Sequence, residues 1–125
     1  MNRHAAAITH IVAFRYKAST TEQQRAEVLS RFLALEHECK RAGENYIVSL
    51  IGGDCTRSLE GLTAGFEQVF VVTFESRGDF EYYLGAPFVS DFDPAHDDFK
   101  KFAIPLLSVD EDGNTNGAMV FDIGV

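Results

Sequence analysis

The chain has no tryptophan, and only two cysteines, three prolines and ten glycines among 125 residues. So little proline and glycine excludes collagen-like and low-complexity architectures. The two cysteines, Cys39 and Cys55, form no Cys-x-x-Cys pair and make no disulfide framework; they read as reduced thiols of a cytoplasmic protein. Cations are also scarce: 11 Lys and Arg stand against 19 Asp and Glu, for a net charge of −8. That balance argues against a nucleic-acid partner, because neutralising phosphates needs clustered Lys and Arg, and against an anionic membrane surface for the same reason. No apolar run approaches the ~18 residues of a membrane span. The weakly basic, small-residue start is interrupted by His10 and runs straight into a strand pattern, so it is not read as a signal peptide.

What is present is a core's worth of apolar residues: 46% of the chain, with eleven phenylalanines. At 13.9 kDa this is enough for one core, so residues 1–125 are read as a single domain. Ile8 to Lys17 alternates, with Ile8, His10, Val12, Phe14 and Tyr16 on one side, which is the period of a strand. His10 therefore faces whatever Val12 and Phe14 face, either as a satisfied core histidine or as a functional one.

Thr20 and Thr21 are alternative caps for a helix, with Gln23 and Gln24 as their capping-box partners. Val28, Phe32, Leu35 and Cys39 then mark an apolar stripe running to about Arg41, and Gly43 is read as its end. Tyr46 to Ile51 reads as a second strand, with Gly52-Gly53 as a bulge or turn. Phe66 to Phe74 is the strongest strand signal, and Ala118 to Ile123 the closing strand. A short helix is expected at about Gly78 to Leu84. Another starts at Asp93-Pro94, with Asp93 as cap and Pro94 in the first turn.

This order, β-α-β-β-α-(α)-β, predicts an α+β fold of the ferredoxin-like split βαβ kind: a four-stranded antiparallel sheet with helices on one face. The bare sheet face predicts a two-fold homodimer, two sheets stacked into a dimeric α+β barrel.

Taken together, Thr9-His10-Ile11-Val12 with Phe14 and Lys17, Gly65-Phe66 leading into Val71 to Ser76, Tyr83-Leu84, Pro94-Ala95-His96 with Phe99, and Val120-Phe121-Asp122 resemble the stress-responsive dimeric A/B barrel (Dabb) family over nearly the whole chain. In particular the chain is similar to members of the olivetolic acid cyclase type, plant polyketide cyclases. The resemblance implies three catalytic positions, His10, Tyr83 and His96, around an apolar cavity. Gln68 stands where such a cyclase has a further histidine. Residues Gly85 to Phe92 lengthen the connection before Pro-Ala-His, and an alternative register would put Pro87 and Val89 on the motif; the Pro94 register fits Ala95, His96 and Phe99 together.

In that reading His96 is a general base, Tyr83 its partner, donating through its phenol or polarising the substrate carbonyl, and His10 orients a substrate oxygen or holds the tyrosine. Val12, Phe14, Val28, Phe32, Gln68, Phe70, Leu84 and Phe99 line a pocket for a small apolar molecule. Asp97 and Asp98 complement the helix N-terminus rather than set the His96 tautomer. No metal site is expected from four histidines, of which His4 and His37 read as surface residues, and no nucleotide motif is present. The functional expectation is a cofactor-independent enzyme on a polyketide-like substrate, by aldol-type cyclisation or related lyase or isomerase chemistry. The alternative is a non-catalytic stress-response binding or structural dimer.

Overall fold

Strand alternation decides the sheet. In the computed structural model, which describes residues 7–125, β1 (Ile8–Phe14) buries every second side chain, and the pattern repeats in the strand beside it. The elements that follow are α1 (Glu22–Glu38), β2 (Lys40–Arg41), β3 (Glu44–Asn45), β4 (Ile47–Asp54), β5 (Gln68–Phe74), α2 (Arg77–Leu84), α3 (Pro94–Ala103) and β6 (Ala118–Ile123). A short 3-10 turn, Ile104–Leu106, extends α3. The main sheet has the order β4-β5-β1-β6 with every pair antiparallel, the ferredoxin-like arrangement.

Of the two candidate caps, Thr21 starts α1. Its hydroxyl accepts from the Gln24 amide at 3.1 Å, and the Gln24 side chain accepts from the Thr21 amide at 2.9 Å. Thr20 instead donates to the Leu106 carbonyl. The helix stops at Glu38 rather than near Arg41, because β2 and β3 form a tight hairpin about Ala42 and Gly43, both at positive φ. Asn45 at its end donates to the carbonyls of His37 and Cys39, at 2.8 and 3.1 Å, and so satisfies acceptors the ended helix leaves free. Gly52-Gly53 does not turn the chain either: β4 runs through both. Gly52 lies under the Phe70 ring, where an added Cβ would sit 2.4 Å from Cδ1, so only glycine admits this approach.

The core lies between the sheet and the helices. Phe32 of α1 stacks on Phe70 of β5 with centroids 3.9 Å apart, Phe99 of α3 meets Phe32 edge-on at 5.0 Å, and Phe14 of β1 closes the group. The other sheet face carries a cross-strand row, Ile51, Val71, Ile11 and Phe121. Ile51 and Phe121 are 66% and 56% exposed, which leaves this row open to solvent in a single chain. Among the described residues no helix is long and apolar enough to cross a membrane.

Candidate functional site

The register of β1 and β6 sets the first half of the site. His10 stands on the helix side of β1, directly opposite Asp122. Its Nδ1–H donates to Asp122 Oδ1 at 2.6 Å, which fixes the tautomer and leaves Nε2 as the ring's acceptor. His10 is buried, while the Asp122 side chain is one-third exposed.

The second half comes from the start of α3. Buried Asp93 caps the helix through Ala95 N at 2.9 Å, and its other oxygen accepts from the Tyr46 hydroxyl at 2.5 Å. The Asp93 amide donates back to the Tyr82 carbonyl at 3.1 Å, so the connection from α2 returns to its own starting point. With the first turn held this way, His96, Phe99 and Ala103 face inward.

α2 ends inside the molecule, and its last carbonyls lack helical partners. Two residues of α3, four apart, supply them. His96 Nδ1–H donates to the Tyr83 carbonyl at 2.5 Å, and Lys100 Nζ donates to the Leu84 carbonyl at 3.0 Å. Asp97 is occupied with Lys101 at 3.1 Å, so the His96 tautomer is set by a backbone carbonyl and not by a neighbouring carboxylate. The imidazole lies flat on the Tyr83 ring, 3.6 Å between centroids, and His10 meets that ring edge-on at 6.0 Å.

His10, Tyr83 and His96 line one cavity of about 280 Å³. Val12, Phe14, Phe32, Leu84 and Phe99 line it too, joined by Lys100, Ala103, Ile104, Leu107, Thr115, Ala118 and Val120. Three expected wall residues do not reach it. Val28 and Phe70 are fully enclosed in the core, Phe70 against Phe32. Gln68 is turned aside, with its amide oxygen accepting from the Tyr16 hydroxyl and its NH₂ donating to the Arg25 carbonyl; it is a satisfied core amide. His37 is exposed, and His4 lies outside the described residues. Among the described residues no group of three acidic, Cys or His side chains is placed to hold a metal.

The electrostatics differ around the ring groups. Burial pushes the His96 imidazole down to about 3, against the Tyr83 carbonyl bond, which favours the charged form; the Lys100 charge adds to the depression. Burial also raises the Tyr83 phenol well above its usual value, so it keeps its proton. That hydroxyl is the one fully buried side-chain donor without a partner among the described residues. Cys39 and Asp93 bear on it electrostatically, and it is sealed from solvent.

A family model for the stress responsive A/B barrel domain (Dabb) matches residues 8–124. The chain belongs to the stress-responsive A/B barrel family. No curated protein sequence matches this A/B barrel chain. Among solved structures it is similar to a hydroxynitrile lyase from Passiflora edulis, with a TM-score of 0.71, 18% identity, and coverage of 95% of this chain and 93% of that one. It is also similar to a dimeric ferredoxin-like protein of unknown function from Jannaschia, TM-score 0.67, 16% identity, covering 95% and 99%. A third is a dimeric ferredoxin-like protein of unknown function from Thermobifida fusca, TM-score 0.65, 19% identity, covering 96% and 92%. At these identities the likeness is one of fold.

Two measurements check the environments of the site. Tyr83→Phe removes a hydroxyl that has no partner, so the variant is expected to be as stable as wild type or more so, by up to roughly 1–3 kcal/mol. A lower urea midpoint would show that the hydroxyl is satisfied.

The second is acid unfolding. A histidine in the unfolded chain titrates near ~6.5, and folded His96 near 3. Between those values the unfolded chain binds one more proton, so this contribution to stability is complete above pH ~6.5 and is lost as pH falls toward 3. Urea midpoints across that window should fall less steeply in His96→Gln than in wild type. Equal slopes would mean that folded His96 is already charged.

Proposed function

We propose that this A/B barrel is a small acid–base enzyme that makes or breaks a carbon–carbon bond beside a carbonyl in an apolar substrate, with lyase chemistry as its broad class. The observation that carries the reading is that two imidazoles of fixed tautomer, His10 and His96, converge on one apolar cavity. Addition of a carbon acid to a carbonyl, and its reversal, needs a base at the acidic proton and a donor at the oxygen that gains charge. A linear polyketide closing on itself is one substrate of this kind. The hydroxynitrile lyase among the structural relatives supports the same class of reaction.

In this proposal the base is His10 rather than His96. Asp122 holds the Nδ1–H of His10 and stands beside the ring to balance the charge it gains with a proton. His96 is held neutral by burial, and its Nε2 serves as an acceptor that orients a substrate hydroxyl. Tyr83 supports the His96 ring from below, with its phenol protonated and sealed from solvent.

One observation favours the other reading, a non-catalytic binding or structural dimer. His96 and Lys100 each cap an α2 carbonyl, which gives both a purpose without chemistry. We place the protein in the cytoplasm on its two free thiols, Cys39 and Cys55.

Turnover separates the readings. A panel of aryl cyanohydrins, β-hydroxy ketones and linear poly-β-keto thioesters is incubated with the protein, and products are resolved by chromatography. On any substrate converted, His10→Gln is expected to lower kcat by roughly 10²–10⁴-fold. His96→Gln should mainly raise KM. Full activity in His10→Gln, or no conversion of any member by wild type, overturns the enzyme reading.

The open sheet face extends the proposal to a two-fold homodimer, in line with the structural relatives described as dimeric. Light scattering at micromolar concentration should give twice 13.9 kDa, and Phe121→Glu should lose soluble protein rather than yield a clean monomer. A stable, soluble wild-type monomer would exclude the barrel dimer.

A further inference from the structure

Among the described residues that line the cavity, Lys100 is the only Lys or Arg. Its position follows from the spacing on α3: four residues after His96, it lies one turn further along the helix, at the edge of the buried face that carries His96, Phe99 and Ala103. It is half-buried, and its Nζ spends one N–H on the Leu84 carbonyl at 3.0 Å. An ammonium has three donors, so two remain. No carboxylate pairs with Lys100 among the described residues, whereas its neighbour Lys101 is paired with Asp97 at 3.1 Å. Its charge acts on His96, one turn earlier on the same helix.

The surroundings make this charge unusual. The chain carries a net −8, so the field of the whole molecule repels anions. An unpaired cation beside an apolar pocket reverses that preference at one point. The other polar side chains of the lining are His10, His96 and the tyrosine of the site, together with Thr115, which comes from the loop preceding β6.

We infer that the cavity selects ligands with an apolar body and one anionic group, a carboxylate or an enolate-type oxygen, which Lys100 receives while the body lies against Phe14, Phe32 and Phe99. This rests on the reading of the cavity as the substrate site and names the class of molecule that site takes. Lys100 is then a specificity-determining residue: it holds the charged end and leaves the carbon next to it facing the two imidazoles. Capping α2 is a separate duty that needs only one of its three N–H groups.

Matched ligands test this directly. Calorimetric titration of the full chain with 4-phenylbutyrate, 4-phenylbutanol and 4-phenylbutylamine compares an anion, a neutral molecule and a cation on one body. The acid should bind about ten-fold more tightly than the alcohol, as expected for a hydrogen bond to a charged group, and the amine more weakly than either. Raising salt from low to high concentration should weaken the acid and leave the alcohol unchanged. In Lys100→Met the acid-to-alcohol ratio should fall to near one, and in Lys100→Arg it should persist. A purely structural Lys100 would not move that ratio, because losing a helix cap weakens all three ligands together. Equal binding of acid and alcohol by wild type, no binding of the acid, or an unchanged ratio in Lys100→Met overturns the inference. Should Lys100→Met fail to fold, the wild-type ratio and its salt dependence still decide. Failure of the enzyme reading is distinguishable: acid binding that depends on Lys100 with no turnover refutes catalysis alone, and turnover with equal acid and alcohol binding refutes the charge preference alone.

Discussion

The carbonyl end of α2 stops against α3, the Tyr83 carbonyl buried and the Leu84 carbonyl partly so, and a buried acceptor left without a partner is costly. The site grows out of that constraint. His96 and Lys100 answer it from α3, one turn apart, and in doing so they become oriented toward the cavity. α3 in turn has to begin at one place for this pairing to hold. Asp93 fixes that place by capping the helix, accepting from Tyr46 and returning its own amide to Tyr82. A single unmet backbone requirement therefore explains why the imidazole, the ammonium and the tyrosine ring stand where they do.

The two histidines show how environment divides one residue type into two kinds. His10 sits on a strand against a partly exposed carboxylate, so its ring has a charge partner within hydrogen-bond distance. His96 sits on a helix against a neutral carbonyl and under deep burial, so its charged form is disfavoured. Both bonds use Nδ1, and both leave Nε2 as the free nitrogen of the ring. The pocket thus holds two acceptors of different character on either side of one aromatic ring, a division that could not be assigned from residue names.

Local signals carried most of the fold. Alternation placed β1, a nearly continuous β-branched and aromatic run placed β5, the Asp93-Pro94 pair placed the start of α3, and the strand–helix order implied the antiparallel ferredoxin-like sheet. The errors arose where a distant partner decides. Gly43 looked like a helix terminator, but a two-residue hairpin and the Asn45 side chain end α1 earlier. Gln68 looked like a pocket residue because it stands where the resembled cyclases have a histidine, yet Tyr16 and Arg25 claim its amide. Asp122 was missed as the partner of His10, since a pairing across 112 positions depends on the register of β6. Lys100 was more accessible to inspection: it lies four residues after His96 on a helix already assigned.

Residues 85–92, between α2 and the Pro-Ala-His start of α3, leave and rejoin the fold at nearly the same point. The chain departs at the end of α2, and Asp93 closes the excursion on Tyr82 at 3.1 Å. Once two ends are pinned together, the cost of a longer loop between them grows only with the logarithm of its length. The segment is therefore mechanically separate from the site it precedes. Residues can be added or removed there without shifting His96 by a turn, so the spacing between Tyr83 and His96 along the chain carries little information about their spacing in the fold.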